Sequence, residues 1–390
     1  MKPSRSYLFV TCMAAYVVAS ALGACALEDR SFPVELDAAQ AVPAADAGET
    51  DADVGGSTAD SEYFPVECTS DALCPNGLFD PKDPSVGLDW RTRIHAIGGR
   101  SVSDVWIAGA VGTMAHFDGT SWAPSEMGTM ESQRVLWLLD SAELSLSSFR
   151  SVYARGLDVD AGSASAGGWS RHELPPRPPF AGRDIMAAWA APGSHSLWMS
   201  SSTELWRLRL TPALTFELQP GLPASVCEVV SCRRMRSIHG ISEETVWAVG
   251  DLGAAIRIDG AETDAPTATS FNTLAWVGLS GVWAASNTNV WAVGGAGTIR
   301  HYAGDPLLWE VVVDVPTQKN LNAVWGTGPS DVWAVGDAGV VLHYDGTHWS
   351  RVKIAGLGER RPDLYTVWSP APGHVWVGGE GIVLALGGKP

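Results

Sequence analysis

Basic side chains are scarce in this chain: 26 Lys and Arg stand against 43 Asp and Glu, a formal net charge of −17 over 390 residues. That balance supplies no basic field for nucleic acid or anionic lipid. Zinc-ligand spacings, a phosphate-binding glycine loop and a nucleophile elbow are also missing, so no metal or cofactor is expected and catalysis has no motif to rest on. Long apolar runs are absent apart from Tyr7 to Leu22, which is too short and too poorly flanked to be a comfortable membrane span.

That run follows Lys2 and Arg5 and ends in Leu22-Gly23-Ala24-Cys25, so residues 1–24 read as a cleaved export signal. The ending resembles the lipobox of bacterial lipoproteins. The resemblance implies cleavage before Cys25, acylation of that residue, and a membrane anchor that does not span the bilayer. Ala26 rather than Asp after the cysteine implies, by resemblance to enterobacterial sorting, the outer membrane. Residues 25–61 hold almost no large apolar side chains and form a solvated acidic tether. Residues 25–89 carry a net −13, whereas residues 90–390 carry only −6.

Tryptophan is abundant: 18 residues against 9 Phe and 7 Tyr. Its placement is periodic. Taking Trp333 as anchor, equivalents fall at Trp106, Tyr153, Trp198, Trp247, Trp291 and Trp376, at intervals of 47, 45, 49, 44, 42 and 43 residues. Ten residues after the anchors stand His116, Arg257, His301 and His343. Twelve after them stand Asp118, Asp259, Ala303 and Asp345, each followed by Gly. Each unit reads as four short strands, with buried runs such as Val332-Trp333-Ala334-Val335 broken by turn residues such as Asp345-Gly346. Such a unit cannot cover its own two faces. Seven of them in residues 85–390 predict an all-β, seven-bladed propeller.

The last repeat reaches only three strands, ending at Ile382 to Leu386, while Val86-Gly87-Leu88-Asp89-Trp90 has no blade of its own. The strand near Trp90 is therefore expected to complete the last blade and leave no open sheet edge. Between the tether and the ring, residues 62–84 hold Cys68 and Cys74. With Cys227 and Cys232 these make four cysteines in an exported chain, which points to disulfides. Three connectivities are possible. The two local ones, Cys68 with Cys74 and Cys227 with Cys232, each close a small loop outside the repeat and are preferred to a metal site, because the spacings fit no common zinc pattern.

A residue repeated around a ring cannot converge on one ligand, so His116, His301 and His343 read as structural. Trp137 and Trp276 fall out of phase and are candidates for binding. So are the arginines of the two longest departures from the repeat: Arg171, Arg177 and Arg183 in one, Arg233, Arg234 and Arg236 in the other. Both departures join an outer strand to the next inner strand and should share a face.

The repeat resembles the Trp- and Gly-rich propeller repeats of bacterial exported proteins, the sialidase-like and photosystem-assembly-factor-like group. Asp118-Gly119-Thr120-Ser121-Trp122 is similar to a sialidase Asp-box, a structural turn, but with altered spacing. The expectation is a monomeric, lipid-anchored binding or scaffold propeller outside the cytoplasm, for an envelope protein or surface glycan. The alternatives are an exported glycan-active hydrolase or lyase, which would need arginines and carboxylates converging at the channel mouth, and an adhesin or pilus-associated assembly factor.

Overall fold

A computed structural model describes residues 61–79, 87–157, 164–177 and 184–388. The chain folds as a seven-bladed propeller of four-stranded antiparallel sheets. The first strands of blades 1 to 7 are Ile94–Ser101, Val135–Leu138, Ala187–Trp189, Met235–Ser242, Leu279–Ser286, Leu321–Gly328 and Leu364–Ala371. Each touches the first strands of both neighbours, with that of blade 7 against that of blade 1, so the ring is closed around a central channel. The apolar core lies between blades rather than within one. Blade 5, for example, contributes Trp283, Trp291, Val293 and Ile299 to the same cluster as Val332, Ala334, Leu342 and Trp349 of blade 6. This is why second strands such as Val332 to Val335 are buried along their whole length.

The anchor tryptophans lie on the second strands and carry a shared polar device. In blades 1 and 6 the carboxylates of Asp104 and Asp331 accept from the indole of Trp106 or Trp333 at 3.0 and 2.8 Å, and from His116 or His343 at 2.8 Å. The imidazole stacks on the indole at 4.4 and 4.2 Å. Burial opposes ionisation of Asp104 and Asp331, but hydrogen bonds from Arg100 and His116 to Asp104, and from Thr327, His343 and Trp333 to Asp331, outweigh it and hold both carboxyls below their ordinary range. Blade 5 has Asn289 in that place. His301 still reaches it at 3.3 Å, whereas the buried indole N–H of Trp291 has no acceptor.

Two expectations need correction. In blade 2 Tyr153 lies on the third strand, paired with Ser145 of the second, and packs against Trp106 of blade 1, whereas the anchors face the following blade. Leu144 and Leu146 of the second strand face blade 3 instead, so Tyr153 is no anchor and the even aromatic spacing around it is coincidental. The ring is closed by an N-terminal strand, but that strand is Leu73–Pro75 and not the segment at Trp90. Leu73 pairs with Leu386 of the last strand in blade 7. It takes the register position that Trp122 and Trp349 fill in blades 1 and 6, packed with Val341, Ile354 and Leu384. An aromatic was expected there, and a leucine with no exposed surface does the same work. Residues 87–90 instead bridge back to Phe79 and lead into blade 1. Both local disulfides are present, and Cys74 lies in the closing strand itself, so the Cys68–Cys74 bond ties that strand to the segment before it.

Leu73→Ala should cost about 2–4 kcal/mol in denaturant unfolding, as for other fully buried leucines. Trp90→Ala, at a side chain 46% exposed, should cost less than about 0.5 kcal/mol. The reverse order would place the seam elsewhere. Asn289→Asp should stabilise by about 1 kcal/mol at neutral pH, because it gives the Trp291 indole the acceptor found in blades 1 and 6.

Candidate functional site

The channel has a volume of about 1250 Å³ and is lined by all seven first strands. Its composition follows from one irregularity. In blades 1, 4, 5, 6 and 7 the first strand carries a bulge near its start, where one residue is left without a cross-strand partner: His95, Arg236, Ser280, Asn322 and Tyr365. A bulge re-aims the extra side chain. All five are polar, and all five line the channel at the end where the connections between blades and the turns between second and third strands meet. Asn322 donates to Asp337 at 2.8 Å and to the Leu364 carbonyl at 2.9 Å, while Arg236 and Arg234 both pair with Asp251. The Arg93 guanidinium lies 4.2 Å over the Tyr365 ring. Burial, and then the neighbouring Arg134 and Arg93, push the His95 imidazole down to about 4.

Three residues deeper stands a collar. Trp189, His239, Trp283, Trp325 and Trp368 occupy one register position in blades 3 to 7, each opposite the anchor of its own second strand. Each leans on a small residue of the following blade. The Trp189, Trp283 and Trp368 rings fill the space that a side chain on Gly240, Gly326 or Gly99 would need. His239 accepts at Nδ1 from Ala284 N–H at 3.2 Å, and Trp325 donates to the Ser369 carbonyl at 3.0 Å. His239 sits 5.4 Å from Trp189 and 5.0 Å from Trp325. Blade 1 has Gly98 at the collar position, where an added Cβ would meet nothing within 4 Å, while in blade 2 Leu136 packs toward blade 1 and Trp137 faces blade 3. The collar is therefore open on the side of blade 1.

The predicted site residues do not converge. Trp137 is buried, with its indole donating to the Ser194 carbonyl at 2.8 Å; it packs the interface of blades 2 and 3. Arg171 pairs with Glu173 on the outer strand of blade 2. Arg177 lies 3.9 Å over Phe149 and 5.3 Å from Trp206, and Arg183 falls outside the described residues. Arg233, Arg234 and Arg236 do share one face with Trp276, which is 84% exposed in the connection from blade 4 to blade 5. Of the five described arginines only Arg236 lines the channel. Among the described residues no three His, Cys, Asp or Glu side chains gather as metal ligands would. Apart from Arg236 the bulge residues were missed, although the pattern is written in the sequence as Ile-His-Ala-Ile, Met-Arg-Ser-Ile, Leu-Ser-Gly-Val, Leu-Asn-Ala-Val and Leu-Tyr-Thr-Val. One polar residue between a leading aliphatic and a small residue was the available signal.

No family model matches the sequence, and no curated protein matches it. Solved structures do. YCF48 bound to D1 peptide is similar over 76% of this chain and 91% of its own, with a TM-score of 0.56 and 15% identity. Virginiamycin B lyase from Staphylococcus aureus matches over 75% and 94%, with a TM-score of 0.56 and 12% identity. The extracellular domain of the putative hybrid two component system BT4673 from B. thetaiotaomicron matches over 81% of this chain and 39% of its own, at 0.55 and 10%. At these identities the likeness is one of fold. This chain is a β-propeller.

The collar makes a pH prediction. Burial pushes the His239 imidazole down to about 3, while in the unfolded chain it titrates near its ordinary value of 6.5. Between those values the unfolded state holds the extra proton, so stability falls as pH falls, by up to about 1.4 kcal/mol per pH unit. Unfolding at pH 7 and pH 5 should show the wild type losing about 1–2 kcal/mol more than His239→Gln, which keeps an acceptor without the titration. Equal losses would mean that His239 is hydrated in the native protein.

Proposed function

We propose that the protein is a lipid-anchored propeller of the cell envelope that binds a protein partner, with acylation at Cys25, outside the described residues, holding it at the outer membrane. The observation that carries the reading is the ring of five bulge residues over an aromatic collar: a preformed concave mouth with polar groups at its rim and aromatic surface below, which is how binding sites on rigid scaffolds are built. Arg234 and Arg236 both pair with Asp251 rather than flanking a carboxylate pair, an arrangement suited to holding a partner more than to acid-base work. A solved propeller of similar architecture is described as bound to a peptide, which supports a peptide or protein ligand over a glycan.

Capture of envelope proteins by a soluble fragment beginning near Tyr63, run beside a glycan array, tests this. A protein should be retained at low millimolar salt and at physiological salt alike, with no glycan consumed. Gly98→Trp, which puts bulk into the open side of the collar without meeting backbone, should lower retention at least tenfold for a ligand that enters the channel. Turnover of a glycan would overturn the reading.

A further inference from the structure

The connection from blade 4 to blade 5 and the adjoining turn between the second and third strands of blade 4 present apolar side chains outward at a cost. Leu252, Leu274 and Trp276 are 83%, 49% and 84% exposed. Leu252 and Leu274 sit at φ of 56° and 54°, a left-handed conformation that a leucine adopts at about 1–2 kcal/mol and that glycine adopts freely. The corresponding turns of blades 5 and 6 place alanines, Ala296 and Ala338, at the same φ. A turn alone thus does not call for a leucine.

The loop is also fixed in place. Thr273 Oγ1 donates to the Gly253 carbonyl at 2.6 Å, joining the turn that carries Leu252 to the loop that carries Leu274 and Trp276. From beneath, Arg300 donates Nε to the Thr273 carbonyl at 2.7 Å and Nη2 to the Leu274 carbonyl at 3.0 Å. Arg300 is 8% exposed and holds a register position filled by Ala115, Ile256 and Leu342 in blades 1, 4 and 6. Burying a guanidinium where an aliphatic would pack is unfavourable unless its hydrogen bonds secure something else. What they secure here is the backbone of an exposed apolar loop.

Beside this loop the charge changes sign. Arg233, Arg234 and Arg236 lie within four residues, with Asp251 as the carboxylate that touches Arg234 and Arg236 and Glu228 on the neighbouring helix, Ala224–Val230. A side chain added at Gly278, two residues after Trp276, would start 3.7 Å from both the Arg236 guanidinium and Asp251. An apolar platform and a basic cluster are therefore contiguous, on a ring whose net charge is −6.

We infer that this platform holds an extended segment of the partner protein, with an aromatic or leucine side chain seated among Leu252, Leu274 and Trp276 and a nearby carboxylate paired with Arg233 or Arg234. The inference rests on the protein-binding reading and gives it a surface and a ligand chemistry. Rigid apolar anchors beside arginine are the composition expected of binding hot spots.

The test uses the full chain and three labelled twelve-residue peptides in fluorescence anisotropy: one with a single Trp followed by two Glu, the same with two Lys, and the first with Ala for Trp. The Trp-Glu peptide should bind at least tenfold tighter than either control, and Trp276→Ala and Leu252→Gly should each weaken it at least tenfold. Leu252→Gly should also raise the melting temperature, because glycine relieves the left-handed strain, so weaker binding in that variant cannot be unfolding. Equal affinity for the Glu and Lys peptides, or undiminished binding in both variants, overturns the inference. So does Trp276-dependent binding to phosphatidylcholine vesicles in place of the peptide. If envelope-protein capture survives both substitutions, the platform falls and the broader reading stands; if the wild type captures no envelope protein, the broader reading falls.

Discussion

The ring is set by the contact between an aromatic side chain on one blade's first strand and the small residue beside it on the next. A Cβ on Gly240 would lie 2.6 Å from the Trp189 ring, one on Gly326 2.7 Å from Trp283, and one on Gly99 2.9 Å from Trp368. Close-packed interiors do not absorb overlaps of that size. These contacts fix how near neighbouring blades approach at the axis, and so how many close the circle. The anchor tryptophans fill the wider wedge further out, where the inter-blade clusters lie. Bulk at the collar and smallness in its neighbour are thus one constraint seen from two strands.

Where the constraint is exchanged, the channel opens. Blade 1 has Gly98 at the collar, opposite Trp106 of its own second strand. The space between blades 1 and 2 is filled further out, by Trp106 with Tyr153 and Trp169 of blade 2. In blade 2 Trp137 faces blade 3, as the collar residues face their following blades, and its indole donates to the Ser194 carbonyl. The volume lost at Gly98 is moved outward, and the ring keeps its packing while the collar loses a member.

Period, strand count and closure could be read from the sequence because they depend on bulky residues that must return in phase. The exact occupants were less legible. Tyr153 is an aromatic of the third strand that packs with Trp169 against Trp106 of blade 1, while leucines face blade 3 from the second strand, so counting aromatics selected the wrong strand of blade 2. Leu73 closes the ring because burial at that register asks for apolar volume, not for tryptophan, and a three-residue strand carries too little pattern to stand out. The bulge residues other than Arg236 escaped for another reason. A strand read by alternation assigns each residue a partner, and His95 or Asn322 has none. Trp276 falls out of phase with the repeat, and the loop that carries it is bonded from beneath by Arg300, 24 residues later, which only the fold brings there.

The two ends of the channel are finished differently. At one end the turns between third and fourth strands are closed by their own carboxylates: Asp118 accepts from Thr120 and Ser121, Asp305 from Leu307 and Leu308, and Asp345 from Thr347 and His348. Gly119, Gly304 and Gly346 then pack against Ser103, Thr288 and Ser330 of the adjoining hairpins. The matching turn of blade 3 holds Leu214 in the left-handed conformation, at φ 57°. At the other end lie the bulges, the left-handed Val111, Leu252 and Leu274, the helix bound by Cys227–Cys232, and the buried Arg300. Strain persists where surrounding structure over-determines it, and such sites gather where binding needs a shape the chain would not otherwise hold. The polar bulge residues and the exposed left-handed Leu252 and Leu274 lie at this end, and a ligand that depends on them must meet the ring there.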